Sequence, residues 1–146
     1  MTEDISRYVQ EVLEKGYLMS LATVDTAGPW VADVVYVHKE DFSLYWGSHI
    51  LSRHSRALER NALVAASITL TQRAGEPDIG LQIAGKAQKV DSGLEELGVL
   101  YQRKKGRTEP FLLREGYAWY CLRPSFMDLT YEPEFGWVKK KFHFLV

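Results

Sequence analysis

A mainly β fold, closed into a barrel and flanked by a few helices, is predicted from three observations. Runs rich in Val, Ile, Ala, Thr, Tyr, Phe and Trp outnumber helical patterns. Most neighbouring runs are joined by short turns, and such meanders close into barrels or sandwiches. The chain has 146 residues, 46% of them apolar, which suits the core of one domain, and no linker or repeat divides residues 1–146.

The elements follow in order. Ile5, Tyr8, Val9, Val12 and Leu13 recur at helical spacing, predicting a helix over 3–15 that Gly16 ends. Residues 17–24 and 30–37 read as two strands of a hairpin. Between them, Asp25-Thr26-Ala27-Gly28-Pro29 is turn chemistry, with Gly supplying unusual dihedrals and Pro ending the pairing. After the turn Lys39-Glu40-Asp41 come a third strand (42–47), a short charged helix (52–60) and a fourth strand (62–70). A polar loop from Gln72 to Asp78 precedes a fifth strand over 79–90. Residues 92–105 read as a helix carrying Leu94, Leu97, Leu100 and Tyr101, and 108–115 as an irregular segment. Strands at 116–122 and 125–131 and a last one near 137–145 complete the reading.

The informative stretch runs from Tyr45 to Arg56, from a strand end through a loop into a helix start. Ser52 is a suitable N-cap, its hydroxyl able to accept from an early helix N–H. The first turn behind it carries Arg53, His54 and Arg56, with no acid before Glu59. Cations there oppose the helix dipole unless an anion sits at the helix end. Free N–H groups, a Ser hydroxyl and an Arg make a phosphate site; the competing reading is a solvated helix start.

With these residues on the page, the sequence resembles the pyridoxamine 5'-phosphate oxidase-like split-barrel family, in particular a small bacterial single-domain branch. The ordered set that carries the likeness is Leu21-Ala22-Thr23-Val24 with Gly28-Pro29-Trp30, the Ser-Arg-His helix start, Leu63-Val64-Ala65-Ala66-Ser67-Ile68, Gln82-Ile83-Ala84-Gly85-Lys86-Ala87, and the tail from Leu129-Thr130-Tyr131 through Phe135-Gly136-Trp137-Val138-Lys139-Lys140. The resemblance implies a homodimer of six-stranded split barrels with FMN in a groove between subunits. It implies that Ser52, Arg53 and His54 hold the phosphate, with Ser48 and Gly47 just upstream. Val34 and Val35 would present backbone to the flavin ring, Gln72 would follow the fourth strand, and Trp137, Lys139 and Lys140 of one subunit would cover the other's flavin. Trp46 is expected beside the flavin as well.

Two departures bear on the cofactor. Asp33 stands on the second strand, where the family usually has a basic residue, and repels phosphate if it faces it. His54 replaces the usual Lys and is mostly neutral near pH 7 unless an anion raises its pKa. The Arg-x-His of true pyridoxamine phosphate oxidases is missing, since His143 follows Lys141-Phe142, so vitamin B6 oxidase activity is not expected.

Function thus reads as an FMN-dependent oxidoreductase acting on a small molecule the sequence does not name, with no side chain assigned as catalytic. The alternatives are a flavin-storage module and a haem-binding barrel with an axial ligand among His38, His49, His54 and His143. A metal site is not expected, because the histidines lack ligand spacing. The formal net charge of -1 gives no field drawing the chain to nucleic acid or anionic membrane. One cysteine fits a reducing compartment, and the acidic start Thr2-Glu3-Asp4 does not resemble a signal peptide; a cytoplasmic location is expected.

Overall fold

The computed structural model describes residues 4–109 and 111–144. One antiparallel sheet dominates, with strand order β2-β1-β5-β6-β7-β4-β3 and β8 pairing with β7 beyond that path. The strands are β1 (Leu18–Asp25), β2 (Gly28–Val35), β3 (Val37–His38), β4 (Leu44–His49), β5 (Leu63–Thr69), β6 (Ile79–Val90), β7 (Tyr117–Tyr131) and β8 (Lys140–His143). The helices are α1 (Ser6–Lys15), α2 (Arg53–Leu58), α3 (Leu94–Lys104) and α4 (Glu132–Phe135). Eight strands stand where the resemblance implies six; β3 and β8, of two and four residues, account for the difference.

Alternation along the strands builds the core. On β5, Val64, Ala66 and Ile68 are buried and their neighbours exposed; on β6 the buried set is Leu81, Ile83, Gly85 and Ala87. These meet Met19, Leu21, Trp46, Tyr120 and Leu129 inside the curled sheet, and Val9, Val12 and Leu13 of α1 join them. The Tyr36 hydroxyl donates to Leu13 O at 2.8 Å, tying α1 to the chain after β2. Burial pushes that phenol above its ordinary range. Gly16 ends α1 with extended dihedrals, not a left-handed turn. Its role is close approach: a Cβ there would lie 2.4 Å from the Tyr36 hydroxyl and 2.6 Å from Ile68 Cγ2.

Three sequence expectations change. Pro29 does not end the hairpin; it pairs with Val24, and the ladder runs on to Asp25 and Gly28 around a two-residue turn. The segments 116–122 and 125–131 are one strand of 15 residues. Pro124, which suggested a break, sits at a register shift opposite Ala84 and Gly85, where a missing N–H is tolerated. The first half of β7 is buried on both faces, because Trp119 and Cys121 pack under Leu97 and Tyr101 of α3 while Tyr120 and Leu122 face the barrel. The short helix α4 falls in a stretch the sequence left unassigned; of the last strand expected near 137–145, Lys140–His143 is a strand, and residue 145 lies outside the described residues. Among the described residues no helix is long and apolar enough to cross a membrane.

Candidate functional site

The chain leaves β4 at His49 and turns into α2 through Ile50, Leu51 and Ser52. Ser52 caps α2 as its sequence position implies: its hydroxyl accepts from Ser55 N at 3.3 Å and donates to His49 O at 2.8 Å. It also lies 2.7 Å from Ser55 Oγ. His54 turns back toward the strand end, with Nε2 at 2.8 Å from Ser48 Oγ and 3.3 Å from Ser52 Oγ. Ser48 is buried, on the same side of β4 as Trp46. Burial pushes the His54 imidazole below its ordinary pKa, so at neutral pH it is an uncharged partner of two hydroxyls.

Arg53 does not join this group. Successive helix residues point about 100° apart, so residues 53 and 54 diverge from one helix start. The Arg53 guanidinium grips Asp25 at the β1–β2 hairpin, Nε to Oδ2 at 2.8 Å and Nη2 to Oδ1 at 3.1 Å. It also lies over the Trp30 ring, 4.4 Å from its centroid. Arg53 holds the Asp25 carboxyl below the usual carboxylate range, and the Ala27 N–H, donating at 2.9 Å, assists. The predicted trio Ser52, Arg53 and His54 is thus divided between two faces of α2.

Between β2 and β4 the barrel is split: the two strands approach, but the sheet order gives them no ladder. Val34 turns its side chain into the core while Val35 is half-buried; the Val35 carbonyl accepts from the Tyr101 hydroxyl at 3.0 Å. Gly47 faces away from Ser48 and is covered by Leu113, whose Cδ2 lies 2.6 Å from where a Cβ would be. Trp46 is fully buried in the barrel and stacks on Tyr120 with ring centroids 5.9 Å apart.

Of the remaining candidates, Gln72 and Lys139 lie toward the outer face of the sheet, whereas Lys140 is registered against the buried Leu129. Gln72 lines a groove of about 660 Å³ together with Lys15, Tyr17, Ser20, Asp33 and Ser67. Asp33 accepts from Ser20 Oγ at 2.6 Å, so its charge faces this groove. Pairing continues the row from Asp33 through Ser20, Ser67 and Gln82 to Asp128. Lys139 reaches the Gln82 amide, Lys140 lies over the Phe135 ring at 5.0 Å, and Trp137 is 75% exposed after Gly136. Sequence reasoning missed Asp25, Tyr101 and Leu113, because nothing in local spacing joins residue 25 to 53 or 101 to 35. Among the described residues no group of three or more His, Cys, Asp or Glu side chains is placed to hold a metal.

No family profile matches the sequence, and no curated protein sequence matches it. Solved structures do match in three dimensions. A heme binding protein from Mycobacterium smegmatis superposes with TM-score 0.78 at 14% identity, over 98% of this chain and 59% of that one. A Listeria innocua protein provisionally named pyridoxamine 5'-phosphate oxidase gives 0.70 at 16%, over 86% and 98%. The heme storage protein HutZ from Vibrio cholerae gives 0.62 at 19%, over 84% and 91%. Identities this low speak to the fold.

Proposed function

Because the chain has the split-barrel fold of the pyridoxamine 5'-phosphate oxidase-like proteins, we propose that it binds FMN along the open split between β2 and β4 and serves as a flavin-dependent oxidoreductase for a small molecule. The observation that carries this reading is that β2 lies against both β4 and α2 without pairing to β4, while His54 of α2 reaches Ser48 of β4. The strand edge at Val34 and Val35, the strand end at Gly47 and Ser48, and the helix start at Ser52 and His54 come from β2, β4 and α2. The donor set suits a phosphate-bearing flavin in kind: two hydroxyls and an imidazole nitrogen, with the permanent cation of Arg53 held by Asp25 on the other face of α2. Hydride or electron transfer is the chemistry that FMN supplies when bound, and this chain's residues hold and orient it. Ser48, Ser52 and His54 would donate to phosphate oxygens, and strand-edge backbone would meet the ring.

A second copy of the chain belongs to this reading. The outer sheet face carries a row of small and apolar side chains, Val31, Ala22, Ala65, Ala84 and Phe126, each registered against the next. Such a flat row suits packing against its own copy, which would bring Gln72, Trp137, Lys139 and Lys140 toward the partner's flavin.

The test is the visible spectrum of the purified protein before and after adding FMN. A bound-flavin band, or quenched flavin fluorescence on titration, is expected. A blank spectrum and unchanged fluorescence with excess FMN would remove the flavin reading.

One observation favours haem as the second reading. The His38, His49 and His54 rings each hydrogen-bond within the chain, to Gln10, Leu51 N and Ser48. His143 is exposed; its ring meets Phe126 at 5.0 Å between centroids and makes no hydrogen bond among the described residues. Its ring nitrogens are open to an iron. A Soret band on adding haemin that disappears in His143→Ala is the expected signature; a band that persists in that variant refutes His143 as ligand.

A further inference from the structure

The face of α2 that carries Arg53 borders a groove of about 650 Å³ beside the β1–β2 hairpin, also lined by Asp25, Arg56, Glu59 and Arg60. Three arginines therefore meet two carboxylates there. Arg56 and Arg60 are exposed, and their side chains make no hydrogen bond or ion pair among the described residues. Arg53 differs from them: its Nε and Nη2 edge, the fork that would receive an oxyanion, is filled by both oxygens of Asp25, and one face of its plane rests on Trp30. Asp25 is itself held by the turn, through Ala27 N at 2.9 Å, so its carboxylate is in place independently of the arginine.

A carboxylate offered to a guanidinium in this bidentate way has the geometry a phosphate would use. We propose that Asp25 is an internal competitor for the ligand's phosphate: a phosphate held at Ser48, Ser52 and His54 gains Arg53 only when the guanidinium leaves the Asp25 carboxylate, with Arg56 and Arg60 of the same groove adding positive charge. The proposal rests on the flavin reading and deepens it, because it makes Asp25 the residue that sets preference between phosphorylated and unphosphorylated flavin. In the intact protein any contact the phosphate gains with Arg53 is offset by the one Asp25 loses, so Arg53 adds little to the preference for FMN over riboflavin. Removing the carboxylate's charge leaves Arg53 open, and the phosphate then gains the full interaction.

The test titrates FMN and riboflavin, followed by flavin fluorescence, into the full chain and into Asp25→Asn, Asp25→Ala and Arg53→Gln, with circular dichroism as the check on folding. The pair is half-buried at the protein surface, so its loss costs little stability. FMN should bind the Asp25 variants roughly tenfold more tightly than the parent while riboflavin binding stays unchanged, and Arg53→Gln should abolish that preference. In parallel, inorganic pyrophosphate should raise the melting temperature of Asp25→Asn more than that of the parent. If both flavins bind but the Asp25 variants leave their ratio unaltered, the competitor role is refuted and the flavin reading survives. If neither flavin binds any variant while pyrophosphate still favours Asp25→Asn, the flavin reading falls and the competition at Arg53 stands. If pyrophosphate also makes no difference, both fall.

Discussion

His38 and His54 are two imidazoles that the fold holds below their ordinary pKa of 6.5, in each case chiefly by burial. For His38 the Lys104 ammonium adds to the effect and Glu14 opposes it. The folded protein takes up these protons less readily than the unfolded chain. Their contribution to stability is therefore complete above 6.5 and lost as pH falls below it toward the folded values. The carboxylates lowered by partners, Asp25 and Glu11, titrate in a separate window, starting from ordinary values of 3.8 and 4.5. The melting temperature should thus fall as pH is lowered below about 6.5, and His54→Asn should flatten that fall. Equal slopes for parent and variant in thermal melts would show that His54 titrates alike in both states. The same residue marks how far the site was legible. That Ser52 caps and that Ser48, Ser52 and His54 belong together could be read from a strand end followed by Ser-Arg-His. That Arg53 turns away could not, because its direction is decided by Asp25, 28 residues earlier in sequence.

Strand β6 was readable to the residue, and β7 was not, for one physical reason. On β6 the inward residues Leu81, Ile83 and Ala87 alternate with Gln82, Lys86 and Gln88, so period two is visible. In β7 the run Ala118 to Leu122 is apolar on both faces because α3 lies across one of them, and Pro124 resembles a terminator. The bulge that accommodates Pro124 depends on Gly85, whose added Cβ would lie 2.3 Å from Arg123 O, backbone that cannot step aside. Gly85→Ala should therefore destabilise the protein by about 2–3 kcal/mol in urea denaturation, while Ala84→Ser, one residue away on the open face, should stay within about 0.5 kcal/mol. Comparable midpoints for the two variants would mean that the bulge has slack. Helix α4, of four residues, is too short to show a period, which is why the sequence left it unassigned.

At the scale of the molecule, the curled sheet has one face filled by its own core and another paved with Ala22, Ala65, Ala84, Val31 and Leu63, the last two each 61% exposed. The alternation of a strand such as β6 was legible, but the alignment of these residues into one row was not. Register between β1, β5 and β6 is a property of the assembled sheet, not of any single strand. If this face receives a second copy, Ala65→Glu at its centre should convert a dimer into a monomer by light scattering, with the circular dichroism spectrum unchanged. A parent protein already monomeric at tens of micromolar, or a variant that remains dimeric, would rule that face out as the interface.

Strand β7 also governs when the sheet can close. It pairs with β6 along its length and with β4 through Tyr117 to Leu122, partners that lie some seventy residues apart at Tyr45 and Cys121. The β1–β2 hairpin joins neighbours in sequence and can form as soon as it is made; β4 cannot enter the sheet until β7 exists. Contacts of such separation slow folding, because a long loop must be ordered before they form. During synthesis β4 and β6 therefore wait with open edges, and Lys86, Gln88 and Lys89 on β6 are the polar residues that keep the waiting strand from pairing with the wrong chain.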